Sequence, residues 1–165
     1  MTTIAERGRF PHVLLIEDNL GDAVLIRLAF KKAQLPGKIT IAGMAETGLA
    51  ILRGEGEYAQ TGRPDIILLD LNLPQMHGLT FLKLVKSDPK LALIPVIILS
   101  SSSAEHEVIA AYAGQASGFI TKPISLDDYD EIVASIGSYW FKLVQTPTTY
   151  DTGDEMRPAR TGTSG

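Results

Sequence analysis

The chain has 165 residues, 45% of them hydrophobic and 21% charged, with a formal net charge of -4 and a pI of about 5.3. This profile suits one globular domain and gives no basis for a nucleic-acid partner. The absence of cysteine excludes disulfides, thiolate metal sites and thiol catalysis. No apolar run approaches the roughly 20 residues of a membrane span, and no signal-peptide pattern opens the chain. We therefore expect a cytoplasmic protein that does not bind a membrane.

Segments with strand and helix patterns alternate along the chain. Short apolar runs predict five strands, at residues 12–16, 39–42, 66–69, 95–99 and 119–121. Apolar residues at helical spacing predict helices at residues 22–33, 45–53, 78–87 and 103–113, and a last helix that follows a capping-box pattern at Ser125 and Asp128 and ends near Val144. The repeated strand–helix order is the signature of an α/β fold with a doubly wound five-stranded parallel sheet.

The ends of the chain differ in composition from the middle. We expect residues 1–11 to form a loose, polar N-terminal lead-in and residues 12–145 to form the domain. Residues 146–165 are rich in Thr and Gly and predict a polar C-terminal tail, with no output domain.

The third predicted strand ends on a carboxylate. Residues 66–74 read IILLDLNLP, so four bulky apolar residues lead directly into Asp70. An apolar run of this kind fits a strand buried on both faces, and open α/β sheets bind ligands at the carboxyl ends of such strands. Asp70 is therefore a candidate reactive group, although an aspartate here can also serve as a turn or helix cap.

Other predicted strands also end in groups that carry chemistry. The first is followed by Glu17 and Asp18, the fourth by Ser100 and the fifth by Lys122. Each could be an ordinary cap or a solvated charge, but a parallel sheet brings all of them to one edge. Carboxylates crowded together repel unless a cation lies among them, and an all-oxygen ligand set suits Mg²⁺.

This collection of groups matches the needs of phosphoryl transfer. A carboxylate can attack phosphorus and hold the group as an acyl phosphate, and we assign that role to Asp70. Lys122 and Ser100 can neutralise or donate to the phosphoryl oxygens. The predicted metal ligands are Glu17, Asp18, Asp70 and the backbone carbonyl of Asn72.

Four motifs resemble those of response-regulator receiver domains: IEDN at 16–19, LLDLNLP at 68–74, ILS at 98–100 and TKP at 121–123. The resemblance implies a flavodoxin-like fold with strand order 2-1-3-4-5 and a histidine kinase that donates the phosphoryl group to Asp70. It also implies a switch in which the Ser100 side chain moves toward the phosphoryl group and the Phe119 ring turns inward. A further implication is a cis peptide bond between Lys122 and Pro123.

A finer resemblance involves IEDNLGD at 16–22, DPKLALIPVI at 88–97 and SYWFKLV at 138–144. These segments are similar to single-domain regulators that partner phytochrome-type sensor kinases and commonly form homodimers. Three adjacent aromatic residues cannot all face one core, so Tyr139, Trp140 and Phe141 are predicted to form a dimer or partner interface. One departure is His77, which stands where receivers usually carry an acidic residue.

Three alternatives remain open at this point. The chain could be a receiver-like binding module that works without phosphorylation. It could be an aspartyl-nucleophile phosphohydrolase resembling the haloacid dehalogenase class, although the acid/base aspartate needed two residues after the nucleophile is replaced by Asn72. Within the receiver family, it could pass the phosphoryl group to a histidine phosphotransfer protein. The scattered histidines His12, His77 and His106 are predicted to lie on the surface.

Overall fold

The structure is a computed structural model that describes residues 2–4, 6 and 10–147. Its strands are β1 (Thr2–Thr3), β2 (His12–Ile16), β3 (Lys38–Ala42), β4 (Ile66–Leu69), β5 (Val96–Ser100), β6 (Gly118–Thr121) and β7 (Gln145–Thr146). Its helices are α1 (Leu20–Lys32), α2 (Ala45–Arg53), α3 (Gly78–Ser87), α4 (Glu105–Ala113) and α5 (Leu126–Ile136), with a 3₁₀ helix at Gly56–Tyr58 and a π-helix at Gly137–Leu143 that continues α5.

Strands β2 to β6 form one parallel sheet in the order β3-β2-β4-β5-β6. Numbered along the chain, these five strands have the order 2-1-3-4-5, which confirms the predicted fold. The order reverses between β2 and β4, where Ile16 pairs with Leu69. The crevice beyond their carboxyl ends is the position at which such sheets bind ligands.

Successive side chains of each strand point to opposite faces of the sheet. Both faces are therefore apolar, and helices cover both. Leu14, Leu69 and Ile98 belong to the core that packs against α2 and α3, which contribute Leu49 and Phe81. The second core, beneath α1 and α5, contains these buried apolar residues: Val13, Leu15, Ile26, Phe30, Leu68, Leu99, Val133 and Ile136. The central strands are buried on both sides, which explains why their sequences are apolar runs rather than alternating patterns.

Side-chain caps fix the starts of α1 and α5. The Asn19 side chain accepts from the Asp22 N–H and starts α1 two residues before the predicted position. The Ser125 hydroxyl accepts from the Asp128 N–H, as the capping-box pattern predicts. The start of α4 differs, because this helix follows Ala104 and has no side-chain cap.

Residues 2–4, within the predicted loose lead-in, contact the rest of the domain. β1 pairs antiparallel with β7, so Thr2–Thr3 lies beside Gln145–Thr146. Ile4 has no exposed surface and joins the second core, and Thr146 is also buried. Burying the Ile4 side chain removes its apolar surface from water. This gain stabilises the contact although the residues around Ile4 are polar. Residues 148–165, most of the predicted tail, lie outside the described residues.

His12 is not the surface histidine that the sequence suggests. It is buried at the start of β2, and its Nε2 lies 2.8 Å from the Thr40 hydroxyl oxygen. Its backbone N–H donates to Asp65 at 2.8 Å. Among the described residues, none of the helices has both the length and the apolar character needed to cross a bilayer.

Candidate functional site

Carboxylates gather where β2 and β4 end. Glu17 follows β2 and is 1% exposed, and Asp70 follows β4 and is 5% exposed. Backbone bonds hold both in place: the Glu17 N–H donates to Ala42 O at 2.9 Å, and the Asp70 N–H donates to Ile16 O at 3.0 Å. Asp18 is exposed at the mouth of the same crevice. The structure thus brings the three predicted acidic groups together.

Lys122 reaches into this cluster from the end of β6. Its ammonium lies 2.5 Å from Glu17 Oε2 and 3.1 Å from Asp70 Oδ2. The lysine side chain is only 7% exposed. The Lys122 backbone N–H donates to Ser100 O at 2.7 Å, which ties β6 to the end of β5. A buried cation between carboxylates offsets their repulsion.

Asp22 is a member of the site that the sequence analysis missed. It lies in the first turn of α1, and its Oδ2 accepts from the Lys122 ammonium at 3.0 Å. From the sequence, Asp22 was predicted only to start a helix. Its place in the site depends on where α1 begins, because the Asn19 cap puts Asp22 in the first turn of the helix.

Burial and charge shift the proton affinities of the central pair. Burial raises the pKa of the Glu17 carboxyl to about 7, although the Lys122 ammonium and the Asn19 N–H act to lower it. Burial acts to lower the pKa of the Lys122 ammonium, but its hydrogen bonds to Glu17 and Asp22 outweigh this effect and raise that pKa. Lys122 therefore remains a cation at neutral pH.

The loop after β4 orients the Asp70 carboxylate. The Asn72 N–H donates to Asp70 Oδ1 at 3.1 Å, and Lys122 donates to Oδ2, so each carboxylate oxygen has one donor. The loop ends at Gly78, whose N–H donates to Leu71 O at 2.8 Å. His77 starts α3 by accepting from the Leu79 N–H at its Nδ1. The departure at this position is thus a helix cap.

Replacing Gly78 is expected to disturb the site directly. A Cβ at this position would lie 2.5 Å from Asp70 O and 2.6 Å from the Leu71 Cα. Backbone atoms cannot move aside as a flexible side chain can, so we expect Gly78→Ala to cost about 1–3 kcal/mol of unfolding free energy. Chemical denaturation measures this loss. Gly43→Ala, where a Cβ would meet no atom within 4 Å, is the control and should change stability far less.

The acidic cluster fits a divalent cation. Glu17, Asp18 and Asp70 each offer a carboxylate oxygen, and these oxygens lie within 4.8 Å of one another. An oxygen-only donor set with one exposed member leaves room for water ligands, which Mg²⁺ retains in protein sites. The negative charge near the ion would be shared with Lys122, which already pairs with two of the three carboxylates.

The predicted switch residues lie on the strands next to Asp70. Ser100 ends β5 and is fully buried, and its hydroxyl oxygen accepts from the Ser102 N–H at 3.3 Å. Phe119 on β6 is partly buried against the core beneath α2 and α3. β5 is hydrogen-bonded to both β4 and β6, so Ser100 stands between the Asp70 strand and the Phe119 strand.

The three aromatic residues after α5 have different surroundings. Tyr139 is half-exposed and contacts Trp140 edge to face, with ring centroids 5.4 Å apart. Phe141 is 3% exposed and packs in the second core. Phe141 therefore offers no interface surface, contrary to prediction, because the helical rotation points it inward, whereas Tyr139 faces outward.

The Lys122–Pro123 bond also differs from the expectation. The peptide bonds of the described residues are all trans, whereas the resemblance implied a cis bond at this position. Trans is the intrinsically preferred state of such a bond by about 0.5–1 kcal/mol. Lys122 nevertheless contacts the carboxylates, because β6 ends directly beside them.

Comparison with known proteins agrees with this geometry. Residues 13–134 match the sequence profile described as the response regulator receiver domain. The chain is 36% identical to the response regulator Rcp1 of Synechocystis over 135 residues, which are 82% of this chain and 92% of that protein.

Two solved structures are also close. The phosphorylated cyanobacterial phytochrome response regulator RcpA is 37% identical, with a TM-score of 0.80 over 85% of this chain and 100% of that one. The Mn²⁺-bound form of the response regulator Rcp1 is 35% identical, with a TM-score of 0.77 over 83% of this chain and 99% of that one.

Proposed function

The chain belongs to the response-regulator receiver family and is a signalling protein of that family, and from this premise we propose that Asp70 accepts a phosphoryl group from a sensor histidine kinase. The observation that carries the proposal is the Asp70 carboxylate, oriented by the Asn72 N–H and by Lys122 at the crevice of the sheet. A buried carboxylate beside a cation is suited to attack an electrophile that carries negative charge.

In the proposed step, a carboxylate oxygen of Asp70 forms a bond to phosphorus while the bond from phosphorus to the donor's imidazole nitrogen breaks. The imidazole leaves with that electron pair. Lys122 holds positive charge beside the oxygens of the transferring group, and Ser100 supplies a hydroxyl donor from the neighbouring strand. The product is an acyl phosphate, and the charge added to the crevice is the signal.

We propose Mg²⁺ as the cation of the acidic cluster, held by Glu17, Asp18, Asp70 and the backbone carbonyl of Asn72. When bound, Mg²⁺ supplies positive charge that neutralises the phosphoryl oxygens. The spacing of the carboxylate oxygens supports this assignment, and one relative has been solved with Mn²⁺ bound. In this scheme the chain catalyses only its own phosphorylation and dephosphorylation.

Apolar side chains beside the crevice support docking of a kinase. Leu20 and Val24 on α1 are 79% and 52% exposed, and Ile124, two residues after Lys122, is fully exposed. Exposed apolar groups that cluster beside a reactive site mark an interaction surface. The histidine of a kinase must approach Asp70 from this side, because the crevice opens at this edge of the sheet.

Ile124→Asp is expected to slow phosphotransfer from the kinase about tenfold, the effect of losing about 1.4 kcal/mol of docking energy. Uptake from the small donor acetyl phosphate should be unchanged, because that donor does not use the docking surface. Leu93→Asp is the matched control, since Leu93 is 44% exposed and lies before β5, at the opposite edge of the sheet. Equal slowing with both donors would contradict the docking role of Ile124.

The similarity to phytochrome response regulators leads us to propose a phytochrome-type kinase as the donor. Phosphotransfer from a purified kinase of this type, compared with an unrelated histidine kinase at equal concentration, tests the assignment. Faster labelling of Asp70 by the phytochrome-type kinase is the expected result. Preference for the unrelated kinase would overturn it, without affecting the assignment of Asp70. We place this exchange in the cytoplasm.

The switch is proposed to run through Ser100 and Phe119. Attraction of the Ser100 hydroxyl to the phosphoryl oxygens vacates space on the neighbouring strand, which the partly buried Phe119 ring fills. A coupling of about 1–3 kcal/mol between two packed states is sufficient for such a switch. The outer surface of β6 and α5 changes as a result.

We further propose a homodimer that uses Tyr139, which is exposed, and Trp140, which is partly buried. Tyr139 and Trp140 border a shallow cavity of about 400 Å³ with Ile120 and Ile132, and Tyr139 is 51% exposed. Tyrosine and tryptophan are enriched in interfaces. Transfer onward to a histidine phosphotransfer protein and direct binding of a target are both compatible with this scheme, and each would use the same phosphorylated Asp70.

A further inference from the structure

A groove at the edge of the sheet opposite Asp70 carries no part of the proposed phosphoryl chemistry. It encloses about 440 Å³ between the end of α1 and the start of β3. Its floor is apolar: Phe30 and Phe141 are buried there, and Leu35 and Ile39 are partly buried. Its rim carries Arg27, Lys31 and Lys38, all exposed. We call this cavity the α1–β3 groove.

The cations of the rim are not neutralised by the part of the chain that the structure describes. Arg27 and Lys31 form no ion pair there, whereas the neighbouring Lys32 pairs with Asp130. Arg27 and Lys31 are four residues apart on α1, a spacing at which like charges destabilise a helix by about 0.2–0.5 kcal/mol. Lys38 donates only to a backbone carbonyl, that of Thr61, at 3.0 Å. A segment with an acidic group beside an apolar side chain would pair with the cations of the rim and contact the apolar floor.

The chain itself carries such a segment, close by in sequence. Residues 150–156 read YDTGDEM, with three carboxylates at Asp151, Asp154 and Glu155 and an aromatic ring at Tyr150. Outside this stretch, residues 148–165 contain no acidic side chain. The acidic charge of the C-terminal region is therefore concentrated directly after the last described residue, Pro147.

The place where the described chain ends also favours the α1–β3 groove. Pro147 lines a second cavity whose wall includes Lys38, and Lys38 is itself part of the rim of the α1–β3 groove. Residues 148–150 can span about 10 Å when extended. The segment that begins at Tyr150 is therefore tethered within about 10 Å of a residue whose cavity shares Lys38 with the α1–β3 groove.

We propose that residues 150–156 dock in the α1–β3 groove of their own chain. Tyr150 contacts the apolar floor, and Asp151, Asp154 and Glu155 pair with the basic rim. The inference does not depend on phosphorylation, because the groove lies at the edge of the sheet opposite Asp70. It assigns a role to a segment that composition alone would describe as a polar tail.

The absence of native cysteine makes a direct test possible. A nitroxide attached to T152C in the otherwise unchanged full-length chain broadens amide resonances that lie near it. We expect loss of intensity for amides of Phe30, Leu35 and Ile39, recovered when the nitroxide is reduced, and no loss for Tyr112 on α4. Salt at about 1 M, where the Debye length is about 3 Å, should weaken the effect. Full intensity at the groove residues would overturn the proposal.

Three further samples test the cause of the docking and the identity of the docked segment. Lys31→Glu in the labelled chain should restore the intensities, whereas Lys83→Glu, an exposed lysine on α3, should leave the broadening in place. Equal effects of the two variants would contradict charge pairing at the rim. A mixture of isotope-labelled chains without nitroxide and unlabelled chains with nitroxide should show no broadening. Broadening of the groove amides in that mixture would assign the groove to a second copy and overturn docking within one chain.

Discussion

Asp70→Asn is expected to abolish phosphotransfer from the kinase while the fold persists. The amide keeps the size of the side chain and can still accept from Asn72, but it lacks the anionic oxygen that attacks phosphorus. Removing one charge from the cluster also relieves repulsion with Glu17. Transfer of labelled phosphate from a purified kinase measures the first effect, and thermal unfolding without metal measures the second.

Asp65→Asn is a suitable control for this experiment. Asp65 is equally buried but lies at the other end of β4, where it accepts from the His12 backbone N–H. That variant should still accept the phosphoryl group even if it loses stability. Stable label on Asp70→Asn would show that another residue is the acceptor and would remove the basis for assigning Asp70.

Lys122→Met is expected to destabilise the metal-free protein by about 3–5 kcal/mol, the usual cost of removing one partner of a buried ion pair. Methionine fills much of the lysine volume, so the loss reports charge rather than packing. Glu17 and Asp70 would then face each other inside the crevice without the cation that contacts both. Denaturant unfolding in the presence of a chelator measures the change.

The same variant should gain more stability from Mg²⁺ than the native protein does. Lys122 and a bound cation share the same carboxylates, so its removal leaves more negative charge for the metal, and ligand binding to the folded state adds stability. Lys83→Met on the surface of α3 should change neither quantity. An equal effect of Mg²⁺ on the native chain and on Lys122→Met would contradict the shared site.

Much of the fold follows from the sequence because the central strands are buried on both faces. Their apolar runs stand out, and each stops at a polar residue that the sheet brings to the same edge. Glu17, Asp70 and Lys122 were therefore predictable as a group, although no strand order could be derived without the motif resemblance. The contacts of Lys122 confirm that the strand ends meet.

What the sequence did not predict depends on contacts between distant segments. Ile4 and Thr146 are buried because the two ends of the described chain pair with each other, which no local pattern reveals. Asp22 joins the site because Asn19 starts α1 early enough to turn it toward Lys122. Phe141 is buried and Tyr139 is not because a π-helix continues α5 and sets their directions.

We expect Asp70 to accept a phosphoryl group only when the acidic cluster holds a metal ion. Intact-mass analysis of the full chain after incubation with acetyl phosphate tests it most directly, with Mg²⁺ in one sample and a chelator in the other. We expect a mass increase of one phosphoryl group with Mg²⁺, none with the chelator, and none for Asp70→Asn in either condition. The same increase in Asp70→Asn, or in the chelated native protein, would contradict it.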